Sequence, residues 1–285
     1  MVSWRRSSLM SQPTAEPVTI AELAQFAMLL EVTAKQKPGN IDRCHDYDDT
    51  CLTHFLASAV LAGPVFSRVA AGGISLGEAM YDAVARTNIH NGGNTHFGAF
   101  ILLLPLIAGK GIASAAELVK MTSVNDAVLF YQAFGLTQVR VRSEDPMDVN
   151  DPSSIQRLID EEITMYQVME YSASHDMVAR EWTNGFLLTR KAADLLFELG
   201  DGAENITRMF LSLMAKYPDT FIAKKFDEAT AAAVMQKAAA VLAGAQTLAD
   251  FDEECIRKGI NPGSLADICI AGIFIALLEG WKWDC

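Results

Sequence analysis

The chain has 285 residues, 51% of them hydrophobic and 20% charged, enough to bury a sizeable core in one large domain or two small ones. A formal charge of −12 excludes a surface built for non-specific nucleic-acid binding, which draws its affinity from clustered Lys and Arg. Cys44, Cys51, Cys255, Cys269 and Cys285 are odd in number and lack CxxC spacing, so they read as reduced thiols, not as a disulfide framework or zinc knuckle.

Met1 to Pro17 carries Trp4, Arg5 and Arg6 followed by Ser, Gln and Pro, without the apolar stretch of a secretory signal. The expectation is a disordered tail over residues 1–18 of a soluble, cytoplasmic protein, followed by one all-α, multi-helix catalytic domain over 19–285 with negligible strand. Helix starts are expected at Thr19, Ser75 and Ser114, because each N-cap hydroxyl precedes a carboxylate by three residues (Glu22, Glu78, Glu117). Phe97 to Ala108 is too short for a membrane span and contains Gly98 and Pro105, which predicts a buried core helix. Only Thr137 to Arg142 alternates like a strand, and Arg142 to Pro152 reads as a long loop. Asp151 before Pro152 opens a further helix with Ile155, Leu158, Ile159 and Ile163 on one face. Helical patterning continues near 182–199, 203–216, 227–257 and 264–280.

Polar clusters interrupt these helices. In EVTAKQKPGNIDRCHDYDD, residues 31–49, a Pro38-Gly39-Asn40 turn offers backbone donors beside Lys35 and Lys37. Asp42, Asp46, Asp48 and Asp49 follow, a run that repels itself unless solvated or bridged by a hard cation such as Mg²⁺. In NIHNGGNTHFG, residues 88–98, Gly92 and Gly93 permit close ligand approach, and the helix start beyond Thr95 presents free amides to an anion. His90 and His96 there are ligands, proton donors or caps, and no third nitrogen or sulfur suggests zinc. In SHDMVAREWTNG, His175, Asp176, Glu181 and Asn184 lie close on a helical reading, and Asp176 has Arg180 four residues on as a surface partner. Asp219 and Thr220 with Lys224 and Lys225 suit either a helix start or a phosphate contact. In NPGSLAD, residues 261–267, Ser264 and Asp267 have capping-box spacing, yet Asp267 is costly on an apolar helix if buried unpaired.

KPGN at 37–40, FLASA at 55–59, the Gly-Asn-Thr-His of 93–96 and NPGSLAD, in this order, resemble the triphosphoribosyl-dephospho-CoA synthase family along Glu31 to Leu278. The resemblance implies a helical transferase that joins the triphosphoribosyl unit of ATP to the ribose 2′-hydroxyl of 3′-dephospho-CoA and releases adenine. The product would be the prosthetic-group precursor of citrate lyase or malonate decarboxylase. Displacement at an anomeric carbon needs a carboxylate base and a proton donor. The resemblance implies Glu31, Asp49 and His96 for catalysis, and Asp46, Asp49, Asp219 and Asp267 for Mg²⁺. Substrate contacts are expected at Lys35, Lys37, Gly39, Asn40, Ser58, Asn94 and Thr95, and further along at Asp176, Glu181, Lys224, Asn261, Gly263 and Ser264. The expected partners are ATP and a coenzyme-like acceptor, without nucleic acid or membrane, and with a homodimer left open.

The chain departs from the citrate-lyase pattern. Asn40 stands where a leucine follows KPG, Tyr47 lies where a histidine is expected nearby, Phe97 replaces a lysine, and Phe221 replaces the asparagine of an Asp-Thr-Asn turn. SHDMVAREWTNGF is typical of a divergent branch. Two other readings therefore stand beside the first. One is the same transfer to another acceptor, in biosynthesis of a pterin or furan one-carbon carrier; the other is a non-catalytic, nucleotide-binding homologue.

Overall fold

A computed structural model describes residues 17–93, 95–137 and 152–284. The expected tail up to residue 16, Asn94, the strand and loop beyond Thr137, and Cys285 lie outside the described residues. Among the described residues there is no strand. The first half of the chain forms α1 (Ile20–Thr33), α2 (Leu52–Ala70), α3 (Leu76–Thr87), α4 (Phe97–Gly109), α5 (Ile112–Leu118), a 3-10 turn (Val119–Met121) and α6 (Val124–Gly135). The second half forms α7 (Pro152–Asp160), α8 (Met165–Ser172), α9 (Met177–Asn184), α10 (Leu187–Leu199), α11 (Asn205–Met214), α12 (Thr220–Lys225), α13 (Glu228–Leu242), α14 (Leu248–Lys258) and α15 (Gly263–Leu278).

Local chemistry sets these boundaries. Thr19 with Glu22 and Ser75 with Glu78 form reciprocal capping boxes at the starts of α1 and α3. Ser114 does not cap: α5 begins earlier, after Gly111, and places Ser114 in its interior. The patterned segment 182–199 is two helices, because Gly185 takes a left-handed φ of +77° and turns the chain. The segment 227–257 is likewise split, between Leu242 and Leu248.

One continuous apolar core runs from Ala21 to Trp281. At its centre are α4, with ten of its thirteen residues buried, and α15, with twelve of sixteen, so both are core helices. Helix α15 packs on α1, α10, α11 and α4, and α2 lies across α1. Among the described residues α2 alone is long and apolar enough, by length and composition, to cross a membrane; here it packs on α1, α3 and α4.

Two prolines inside helices, Pro105 buried and Pro64 exposed, show how the fold tolerates its own breaks. Pro105 in α4 has no N–H to give the Ile101 carbonyl, and the Trp182 indole Nε1 donates there instead, at 2.9 Å. Pro64 in α2 leaves the Val60 carbonyl free in the same way, and Gln25 Nε2 from α1 supplies that bond at 3.0 Å. Each tie pins one helix to its neighbour, α9 to α4 and α1 to α2.

Candidate active site

The site starts where α1 stops. Thr33 ends the helix, and the KPGN loop folds back so that Lys37, 1% exposed, donates from Nζ to Glu31 Oε1 at 2.6 Å. Asp42 accepts from the Lys37 and Cys44 backbone N–H groups and closes the loop upon itself. Gly39 is required at its tip: its φ is +75°, and a Cβ there would stand 2.0 Å from the Ile260 carbonyl oxygen. The Gly39 N–H donates to Asp252 on α14, and Tyr47 Oη donates to the Gly39 carbonyl. His45 lies between Asp42 and Asp252, at 3.5 and 3.8 Å. The backbone donors of the turn are thus largely committed to the protein.

Beside this loop the N-termini of α4, α9, α12 and α15 meet, each bound by a carboxylate. Asp176 accepts from Val178 and Ala179 at the start of α9 and forms an ion pair with Lys224. Asp219 accepts from Phe221 and Ile222 through one oxygen and from Leu265 of α15 through the other, so a single carboxylate caps two helices. Asp267 is not the partner of a capping box with Ser264, because α15 starts at Gly263 and places Ser264 inside its first turn. It instead crosses to α4, accepts from the Ala99 N–H, and occupies the space left by Gly98, where a Cβ would lie 2.0 Å from Oδ2. Thr220 Oγ1 joins the group, accepting from Met177 N–H and donating to Ser264 Oγ at 3.2 Å.

The electrostatics follow from burial. Burial pushes the Glu31 carboxyl upward against the opposing Lys37 charge. Burial likewise raises Asp219 to about 6 although three backbone donors oppose the shift. Asp267 is raised furthest, by burial and then by the negative charges of Glu31, Asp219 and Asp176. Burial works against the Asp176 charge too, but Lys224 and two amides outweigh it and hold that carboxyl below its ordinary range. A buried group of carboxylates held above their usual values is short of positive charge.

His96 is the N-cap of α4, buried, with Nδ1 2.9 Å from Ser58 Oγ and its ring edge-on to Phe55. Burial, then the Lys37 and His90 charges, push its pKa down to about 3. His90 stacks on His54, with ring centroids 4.5 Å apart.

The structure brings Glu31, Lys37, Asp176, Asp219, Lys224, Ser264, Asp267, Ser58 and His96 into this region. Other expected residues are placed differently. Asp46 and Asp49 are exposed, and Asp46 accepts from Leu52 N–H at the start of α2. Lys35 is exposed, while its carbonyl accepts from Thr207. Glu181 is fully buried and gives both oxygens to the Leu188 and Thr189 amides of α10. Arg180 does not pair with Asp176 but donates to the Ala173 and Ser174 carbonyls. Gly263 is the first residue of α15, where a Cβ would stand 3.5 Å from the Phe221 ring and 3.9 Å from Asn261 Oδ1. Asn40 is buried and its backbone N–H closes the turn onto the Lys37 carbonyl, while Thr95 precedes the α4 cap. Sequence reasoning passed over Asp252, an acid on an amphipathic helix with no motif around it. Among the described residues no three His, Cys, Asp or Glu side chains form a ready-made metal site.

The family model for ATP:dephospho-CoA triphosphoribosyl transferases matches residues 17–285. The chain belongs to this family. A 2-(5''-triphosphoribosyl)-3'-dephosphocoenzyme-A synthase of Haemophilus ducreyi is 24% identical, over 91% of this chain and 88% of that one. A crystal structure described as a candidate triphosphoribosyl-dephospho-CoA synthase of Archaeoglobus fulgidus superposes with a TM-score of 0.69 at 29% identity, covering 81% of this chain and 99% of that one. Membership makes the chain an all-helical transferase, and the clustered acids, paired lysines and converging helix starts are the groups this transferase has to work with.

Proposed function

We propose that the chain transfers the triphosphoribosyl unit of ATP to the 2′-hydroxyl of 3′-dephospho-CoA with release of adenine. The observation that supports it most is the meeting of Glu31, Asp176, Asp219 and Asp267 from separate segments, beside Lys37 and Lys224. In the reaction the C1′–N9 bond of ATP breaks, a C1′–O2′ bond forms, the hydroxyl proton goes to a base, and adenine departs carrying a proton. The sugar passes through an oxocarbenium-like state that nearby carboxylates stabilise.

Glu31 is the base: buried, raised, and held in place by Lys37, it gains from taking a proton as the hydroxyl attacks. The Lys224 ammonium receives the phosphates, since the first amides of α9 are already taken by Thr220 and Asp176. Asp267 is the residue to hold Mg²⁺, since its carboxylate is buried among like charges and ionises readily only if a cation joins it. Bound there, Mg²⁺ would neutralise triphosphate charge. Asp219, with both oxygens on backbone donors, positions α12 and α15.

The test is to incubate the protein with ATP, Mg²⁺ and 3′-dephospho-CoA, following adenine by chromatography and product by mass. A product heavier than the acceptor by the triphosphoribosyl unit, with one adenine released, is the expected result. Adenine release with a different acceptor alone would move the acceptor assignment; none with any acceptor would sink the transfer.

A further inference from the structure

We propose that His96 works as a neutral imidazole with its proton on Nε2, from which it donates a hydrogen bond to the departing adenine; the second half of this rests on the transfer reading above. The tautomer follows from counting partners. Ser58 Oγ sits 2.9 Å from Nδ1, and among the described residues Ser58 has no other partner for its hydroxyl. If Nδ1 carried the proton and donated to Ser58, the buried Ser58 hydroxyl would have no acceptor and Nε2 would be a bare acceptor, two unmet groups. If Ser58 donates to Nδ1, only the Nε2–H is left without a partner. Nε2 is indeed buried and unpartnered. Buried donors are rarely left so, and a single directed N–H kept beside a cluster of acids and lysines is a group waiting for an acceptor.

The surroundings keep the ring uncharged. His96 is 1% exposed, at the positive end of the 13-residue α4. The titratable groups facing it are Lys37 from the loop after α1 and His90 from the loop after α3, and neither favours a second positive charge. Phe55 from α2 and Phe100 from α4 close its flanks. Glu31, which reaches this network through Lys37, is already paired with that lysine. Burial and these charges hold the pKa at about 3, so a full proton is not available from this ring near neutrality. Purine ring nitrogens become better acceptors as the C1′–N9 bond lengthens, and an N–H placed there stabilises the leaving group without protonating it first. The proton that adenine finally carries comes from solvent or from the base that took it from the acceptor hydroxyl.

Imidazole nitrogen spectra of ¹⁵N-histidine-labelled full-length protein, with His96→Gln for assignment, read the first half without any turnover. The expected signal has a protonated Nε2 and an unprotonated Nδ1, unchanged from pH 5.5 to 8. An imidazolium in that range, or the Nδ1–H tautomer, would overturn the proposal. The second half is read by kcat. His96→Gln, whose amide N–H reaches the place of Nε2, keeps kcat within about tenfold, whereas His96→Leu loses 100-fold or more, and Ser58→Ala falls between them, on the scale of one catalytic donor. Equal losses for Gln and Leu in variants with wild-type melting would sink the donor role. Wild-type protein that shows the expected tautomer but releases no adenine would instead overturn the transfer reading, and the donation with it.

Discussion

Lys37 and Glu31 form a buried pair whose members are stable only together. Lys37→Met removes the one cation beside Glu31 and leaves a buried acid, which should lower unfolding free energy by about 3–5 kcal/mol in urea titrations. Glu31→Gln keeps the shape, costs less, and should abolish adenine release; normal turnover by that variant rules Glu31 out as the base. Gly98→Ala tests the acid across the site. Its Cβ would fall 2.0 Å from Asp267 Oδ2, so the carboxylate must move, and calorimetry should show Mg²⁺·ATP binding weakened by about tenfold or more, roughly 1.4 kcal/mol.

At the scale of elements, helix starts built by distant residues are the vulnerable points. Glu181 supplies the acceptors for the first turn of α10, so Glu181→Ala leaves two buried amides unpaired and should cost about 2–4 kcal/mol, with turnover falling only as far as the folded fraction does. Trp182 serves α4 by bonding the carbonyl that Pro105 leaves free. Trp182→Phe should therefore destabilise by about 1–3 kcal/mol, and adding Pro105→Ala should recover part of that loss by restoring the helical N–H. A double-mutant cycle in denaturant with no coupling would break this account.

For the whole molecule the buried acids set how stability varies with pH. Asp219 is raised to about 6, and Glu31 and Asp267 are raised as well. A raised acid binds more protons folded than unfolded, so its penalty is fully present above the folded pKa and disappears as pH falls toward the ordinary value. For Asp219 alone, a rise from 3.8 to about 6 corresponds to ~3 kcal/mol of stability regained on acidification through that window. The unliganded protein should melt higher at pH 5.5 than at pH 7.5, before the loss of ion pairs such as Asp176–Lys224 reverses the trend in stronger acid. Mg²⁺·ATP supplies the missing positive charge, so its thermal shift should be larger at pH 7.5 than at pH 5.5. A scanning fluorimetry series across both conditions reads the two slopes directly.

The sequence by itself determined what is local or periodic. Capping boxes at Thr19 and Ser75, the apolar runs of α4 and α15, and motifs at 37–40, 93–96 and 261–267 were legible because a helix start needs only a hydroxyl and an acid three residues apart, and a core helix only its apolar face. The tertiary structure decided what each polar group faces. Ser264 and Asp267 have capping-box spacing, yet Asp267 serves α4; Glu181 and Asp176 read alike in sequence, yet one is enclosed in a helix cap and the other meets Lys224. Asp252 carries no local signal and still holds Gly39, 213 residues away in the chain. A carboxylate's role depends on which donors and charges lie within a few ångströms, and in a bundle of short helices those neighbours come from segments whose pairing is fixed only when the core closes.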